Sequence, residues 1–152
     1  MRRLLLEHLP AALLIGLVGA WLSGNWVLVP IALATGWMID ADHLFDWSLY
    51  ARRVGVSSAL RELSTGAYFR ANGRVFVVLH SWEWVAIWLV AGVAAGRPDI
   101  AIVGSLSWAA HIAKDQWTYR VVPPGYFLIY RMVRGFAHEG FCREKRDAVL
   151  AH

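Results

Sequence analysis

The sequence predicts an all-α integral membrane protein, a bundle of four transmembrane helices arranged as two antiparallel hairpins. Three observations lead to this fold class: the composition, four apolar segments and a one-sided distribution of arginines. Of the 152 residues, 58% are hydrophobic and only 17% are charged. Soluble domains are close to a quarter charged and under half apolar. The composition therefore favours a membrane protein before any single segment is considered.

Four apolar segments approach the length of about 20 residues that a helix needs to span a bilayer. Short turns at residues 23–25 and 96–99 separate the members of each pair, which predicts two helical hairpins. The chain is interpreted as one membrane domain, with a loop at 46–74 and a tail at 120–152. The predicted spans are residues 4–22, 26–45, 75–95 and 100–119.

The basic residues predict how the bundle is oriented. Five arginines lie in the 46–74 loop and further basic residues lie at both ends of the chain, whereas the opposite side carries only Arg97. Basic residues concentrate in cytoplasmic loops. The sequence therefore predicts cytoplasmic termini and a multi-pass protein of a bacterial or archaeal inner membrane. Membrane lipids are the expected partners, a homo-oligomer is compatible with the small size, and a nucleic-acid partner is disfavoured.

Histidines and aspartates from all four segments fall at one end of the predicted bundle. Such side chains cost roughly 2.5–3.5 kcal/mol each near the centre of a span, so they call for an explanation. His111 and Asp115 are four residues apart on one helix face and can bind one ion together. Histidine with carboxylate, and without thiolate, suits zinc, manganese or iron. A metal site is the first interpretation, and a polar network that only joins helices is the second.

The spacing of these residues hints at an internal repeat. His8 and Asp42 are 34 residues apart, and His80 and Asp115 are 35 residues apart. Each hairpin would then carry a histidine at the start of its first helix and an acid at the end of its second. A duplicated hairpin predicts two equivalent ligand sets around a pseudo-twofold axis.

Four short motifs resemble those of the membrane-bound metal-dependent hydrolases, inner-membrane proteins first noted as LexA-regulated. They are Glu-His-Leu in the first segment, Ile-Asp-Ala-Asp-His at 39–43, Leu-His-Ser at 79–81 and His-Ile-Ala-Lys-Asp at 111–115. The resemblance covers about residues 7–118, although Ile39 stands where the family has proline. More remotely, the order of the motifs is similar to that of zinc-dependent phospholipase C, whose later His-x-x-x-Glu pair is absent here.

The resemblance implies a hydrolase that uses one or two divalent ions, zinc first and manganese or iron as alternatives. It implies a phosphoester, or another ester, of a lipid or amphiphile as the substrate. His43 would be an acid/base or orienting group. The implied metal ligands are His8, Asp40, Asp42, His80, His111 and Asp115.

The mechanism that we expect needs two further kinds of group. An acid that does not bind the metal, Asp40 or Glu83, would take a proton from water. Loop arginines would hold an anionic headgroup at the inner leaflet. These arginines are Arg52, Arg53, Arg70 and Arg74.

Two other functions fit part of the same pattern. Histidine and aspartate within a membrane also build ion pathways, but a metal or proton transporter predicts polar groups at several depths. The sequence places them at one depth only. A non-catalytic membrane scaffold, whose polar cluster holds helices together, predicts no bound metal and mild effects of substitution.

Overall fold

A computed structural model describes residues 7–62, 66–119 and 121–141 of the chain. These residues form helices joined by turns. The described part contains no β-strand, and an isolated bridge joins Arg74 and Ala137. The α-helices are α1 (Leu9–Ser23), α2 (Leu28–Gly36), α3 (His43–Val54), α4 (Val56–Glu62), α5 (Ala67–Asn72), α6 (Trp82–Ala94), α7 (Pro98–Thr118) and α8 (Leu128–Val133). Two 3₁₀ helices, Met38–Asp42 and His138–Gly140, complete the elements of the described residues.

Three of the helices are shorter than the spans predicted for them. α1 has 15 residues, α2 has 9 and α6 has 13, whereas a span needs about 20. α7 has 21 residues but carries Asp99, Lys114 and Asp115. Across residues 7–62, 66–119 and 121–141, no helix combines the length and the apolar character that crossing a membrane requires. The predicted four-span bundle with cytoplasmic termini, and the multi-pass inner-membrane location, are therefore wrong.

Interactions between distant residues break the second and third predicted spans. α2 ends at Gly36, whose carbonyl accepts a hydrogen bond from His111 on α7 instead of continuing the helix. A 3₁₀ turn follows, and α3 then runs beyond the predicted end of the span to Val54. The third predicted span begins at residue 75, but helix α6 begins only at Trp82. Residues 75–81 form an irregular turn whose backbone is hydrogen-bonded to other parts of the chain.

The two helical hairpins of the prediction are present as packed pairs. α1 lies against α2, α6 lies against α7, and α7 also packs on α1 and α2. Gly16 of α1 allows close approach to Val29, because an added Cβ would lie 2.9 Å from the Cα of that residue. The side-chain amide of Asn25 donates a 2.6 Å hydrogen bond to Asp99, which ties the turn of one hairpin to that of the other.

The opposite end of the molecule is built from short elements. α3, α4 and α5 occupy most of the predicted loop, and residues 121–141 of the predicted tail fold back onto the helices. The larger hydrophobic core lies here, where the first 3₁₀ helix, the turn at 75–81, α7 and residues 121–141 meet. Its buried members are Ile39, Val75, Val77, Trp108, Ile112, Val121, Tyr126 and Phe141.

Candidate metal centre

Four polar side chains converge at the end of the molecule that the short elements form. Asp40 comes from the first 3₁₀ helix, and His80 comes from the turn before α6. His111 and Asp115 lie one turn apart on α7. Nε2 of His80 lies 3.1 Å from Nε2 of His111, and both atoms lie 3.3 Å from Oδ1 of Asp40. Oδ2 of Asp115 lies 3.4 Å from Nε2 of His111 and 3.6 Å from Nε2 of His80.

These separations match the edges of a small coordination sphere. Four ligands bound tetrahedrally at about 2.0–2.1 Å stand about 3.3–3.4 Å from one another. The five separations given above run from 3.1 to 3.6 Å. The group of Asp40, His80, His111 and Asp115 could therefore hold a metal ion.

The hydrogen bonds behind the two histidines direct their lone pairs to one point. Nδ1 of His111 lies 2.8 Å from the carbonyl oxygen of Gly36, which can only accept, so Nδ1 carries the proton. Nδ1 of His80 lies 3.0 and 3.2 Å from the two carboxylate oxygens of Asp42 and donates in the same way. Metal-binding histidines typically donate their second N–H to a carbonyl or a carboxylate. In both residues Nε2 is then the atom left to bind a metal.

Without a metal, a proton supplies the positive charge that this cluster needs. Burial lowers the pKa of His80, but the attraction of Asp42 and the hydrogen bond to Asp40 outweigh it and raise that pKa to about 10. Burial raises the pKa of Asp40, yet hydrogen bonds from His111 and His80 hold it well below its usual range. The pKa of Asp115 is also held low against burial, chiefly by His111. The carboxylates are therefore ionised, and His80 is protonated at neutral pH in the metal-free protein.

His8 lies beside the four ligand candidates rather than among them. Its Nε2 is 3.0 Å from Oδ1 of Asp115, the oxygen that does not face the other imidazoles. Its ring stacks on that of His111, with 3.6 Å between the ring centroids. Asp42 has a comparable place behind His80. Of the six predicted ligands, four thus share one centre, and two orient members of that centre.

His43 stands at the start of α3, between the cluster and an aromatic residue. Its Nδ1 lies 2.9 Å from the hydroxyl of Tyr68, and its Nε2 lies 3.8 Å from Oδ1 of Asp40. Burial is the main reason that the pKa of His43 falls to about 4, so the ring is neutral at pH 7. Burial also raises the pKa of Tyr68, which keeps its hydroxyl protonated.

A cavity of about 240 Å³ opens onto this cluster. Asp40, His80 and Asp115 border it, so an ion held by the four residues could be reached from one side. His8 and His43 border it as well. The rest of the wall is mainly aromatic: Tyr68, Phe69, Tyr119, Tyr126 and Phe141.

The remaining predicted site residues lie away from the cavity. The carboxylate of Glu83 accepts hydrogen bonds from the backbone N–H groups of Leu128 and Ile129, at 2.9 and 3.1 Å. It satisfies free N–H groups at the start of α8. The four predicted substrate-binding arginines are exposed, and none is among the described residues that line the cavity: Arg52, Arg53, Arg70 and Arg74.

Several groups that shape the site could not be identified from the sequence. Tyr68 belongs to no motif, and its contact with His43 joins residues 25 positions apart. The carbonyl of Gly36 orients His111 across 75 positions, and a backbone group leaves no mark in the sequence. Of these groups, only Gly36 lies close in the sequence to a motif, the one at 39–43.

Comparison with known protein families, with curated proteins and with solved structures found no match to this chain. The resemblance to membrane-bound metal-dependent hydrolases therefore stays a prediction from four short motifs.

Proposed function

We propose that this protein is a metal-dependent hydrolase that holds one divalent ion between Asp40, His80, His111 and Asp115. The observation that carries the proposal is the pair of imidazoles whose Nε2 atoms face one point, 3.1 Å apart, with two carboxylates around them. A divalent ion would balance the two negative charges. It would also take the place of the proton that His80 carries in the metal-free protein.

Zinc is the metal that we favour. It binds imidazole and carboxylate at about 2.0–2.2 Å, and such distances agree with the separations in the cluster. Calcium needs six to eight oxygen ligands at about 2.3–2.6 Å, and magnesium prefers oxygen and water. Manganese and iron accept mixed nitrogen and oxygen ligands and stay as alternatives.

One ion is simpler than two. A second group, Asp42, His43 and His80, also has ligand atoms close enough to share an ion. It uses His80 again, whose Nδ1 already faces Asp42. Two ions would require both nitrogens of this imidazole to bind metal. We therefore assign Asp42 the role of orienting His80.

A bound zinc ion would polarise a phosphoryl or acyl oxygen and lower the pKa of water toward 7. Asp40 turns Oδ1 to the two imidazoles, while its buried Oδ2 has no hydrogen-bond partner among the residues that the structure describes. That oxygen would accept a hydrogen bond from a water at the ion and so orient it. His43 is neutral and borders the same cavity, so it would accept a proton from the attacking water and could then pass that proton to the leaving group.

The proposed substrate class is an ester, with a phosphoester first. The cavity is small and largely aromatic, which favours a leaving group with an apolar or aromatic part. The amphiphile inferred from the motifs is consistent with such a wall.

A structural polar network is the second candidate. A protonated His80 lies within 3.0–3.6 Å of oxygens from Asp40, Asp42 and Asp115. Such a proton could replace the ion permanently and hold three segments of the chain together. This candidate predicts a stable protein with no affinity for metal.

The test begins with the metal content of the purified protein, measured by plasma mass spectrometry before and after reconstitution with zinc. The wild type is compared with His111→Ala/Asp115→Ala and with the control Arg74→Gln, whose side chain is exposed and is not among the described residues that line the cavity. Hydrolysis of bis(p-nitrophenyl) phosphate, p-nitrophenyl phosphate and p-nitrophenyl acetate is then followed with and without a chelator.

The hydrolase proposal expects near-stoichiometric metal and chelator-sensitive turnover in the wild type and the control only. Absence of metal after reconstitution would favour the polar network. Stoichiometric metal without turnover of any ester would leave a metal site and contradict the hydrolase.

A further inference from the structure

The turn at 75–81 carries His80, and groups far away in the sequence hold much of its backbone. Val77 has a φ of +23°, a value that β-branched residues rarely adopt. Such backbone conformations persist only where the surroundings impose them, and they concentrate at functional sites. The groups that impose this one are two buried charged side chains, Asp46 and Arg131.

Asp46 holds the turn through its N–H groups. Its carboxylate is fully buried and accepts hydrogen bonds from the backbone N–H groups of Phe76 and Val77, both at 3.0 Å. Both oxygens are used, and Asp46 belongs to α3, 30 positions earlier in the chain. The carboxylate therefore determines the direction of two successive peptide groups at the strained residue.

Arg131 holds the same turn through its carbonyls. Its guanidinium is 2% exposed and donates to the carbonyl oxygens of Phe76, Val77 and His80. The bond to His80 is 2.9 Å long and joins Arg131 directly to the residue that supplies the ligand. Three carbonyls that point at one guanidinium leave little conformational freedom to the backbone from Phe76 to His80.

We propose that Asp46 and Arg131 are positioning residues for the metal centre, which fix the turn at 75–81 so that Nε2 of His80 points at the ion. The inference rests on the proposed metal site and deepens it. Burying a carboxylate and a guanidinium is expensive unless their hydrogen bonds are made. Here those hydrogen bonds go to a single turn, and that turn orients the imidazole of His80.

Cobalt(II) is the probe for this role, because tetrahedral cobalt absorbs visible light much more strongly than five- or six-coordinate cobalt. Asp46→Asn removes one of two acceptors, and Arg131→Lys keeps the charge but loses the planar fork. We expect each variant to bind cobalt 10–100-fold more weakly, as loss of an orienting partner does at metal sites. The visible band should also weaken as His80 leaves its position. Arg131→Met should be more severe than Arg131→Lys.

Leu28→Ala is the matched control. Leu28 is 1% exposed and belongs to the smaller core at the other end of the hairpins. Its truncation should lower the melting temperature while leaving the affinity for cobalt and the spectrum unchanged. The rise in melting temperature on adding cobalt is recorded for every variant, since it reports affinity even for destabilised proteins.

The proposal is overturned if Asp46→Asn and Arg131→Lys lose stability like Leu28→Ala but keep the wild-type affinity and spectrum. A variant that fails to fold even in excess cobalt also counts against it, because the pair would then support the whole fold. If the wild type binds no cobalt, the proposed function itself fails, which is a different result.

Discussion

The two halves of the chain contribute to the metal centre in different ways. The half from residue 75 onward supplies three of the four ligand candidates: His80, His111 and Asp115. The half before it supplies Asp40 alone as a ligand candidate. It supplies instead most of the groups that stand behind the ligands.

Each ligand of the second half is oriented by a residue of the first. His8 bonds to Asp115, the carbonyl of Gly36 accepts from His111, and Asp42 accepts from His80. The near-equal spacings within the two halves suggested equivalent roles, but His8 and His80 play different ones. Whether a histidine or aspartate of this cluster faces the ion or orients a ligand depends on the group that its second polar atom contacts.

The largest effect should follow loss of a ligand from the second half. We expect His111→Ala or Asp115→Ala to weaken zinc binding by about three orders of magnitude, well beyond the 10–100-fold cost of losing an orienting partner. Competition with a chromophoric chelator measures the affinity. Circular dichroism should show that the helices persist. An affinity for zinc within tenfold of the wild-type value would contradict the distinction between the two halves.

Loss of an orienting group from the first half should have a smaller effect. Asp42→Asn replaces the acceptor of the N–H of His80, and His8→Phe keeps the stack on His111 but removes the bond to Asp115. We expect each to weaken zinc binding about 10–100-fold. The same competition titration applies. A loss as large as that of Asp115→Ala would mean that the residue is itself a ligand.

The metal-free protein should lose stability as the pH rises. His80 has a pKa of about 10 when folded and about 6.5 when unfolded, so the folded state binds its proton more tightly. Its contribution to stability is complete below pH 6.5 and is lost as the pH rises toward 10. Urea unfolding with chelator present, from pH 6 to 10, measures this. His80→Gln should flatten the dependence, and a wild type equally flat would contradict the assignment.

The smallest effect should come from the exposed arginines. None of them lines the described part of the cavity wall, so single Arg→Gln changes at 52, 53, 70 and 74 should shift stability by less than about 0.5 kcal/mol. Zinc affinity and turnover should be unchanged. Thermal unfolding and ester hydrolysis provide the readouts. A rise in KM for an anionic ester alone would instead support the prediction that these arginines hold an anionic headgroup.

Much of the helical pattern could be predicted because it depends on local sequence. The prediction placed the end of α1 and both ends of α7 within two residues of their observed positions, since apolar runs and turn residues mark them. The predicted start of the first span, at residue 4, lies outside the described residues. The second and third spans could not be placed, because distant contacts interrupt them. Gly36 gives its carbonyl to His111, and Asp46 binds the N–H groups that a helix through residue 76 would use.

The candidate site, like the fold, could be predicted only where local sequence determines it. The pairing of His111 with Asp115 follows from helix geometry alone, and the motif at 39–43 pointed to Asp40. Which histidines and aspartates face the ion could not be derived, because this depends on partners 31 to 75 positions away. Glu83 illustrates the same limit, since only the fold shows that its carboxylate caps α8.

X-ray absorption at the zinc edge tests the central claim most directly. We expect one zinc ion per chain, surrounded by four or five nitrogen and oxygen atoms at about 2.0–2.1 Å. The outer scattering should correspond to two imidazoles, from His80 and His111. A sulfur ligand, a single imidazole or the absence of bound zinc would contradict a centre built from Asp40, His80, His111 and Asp115.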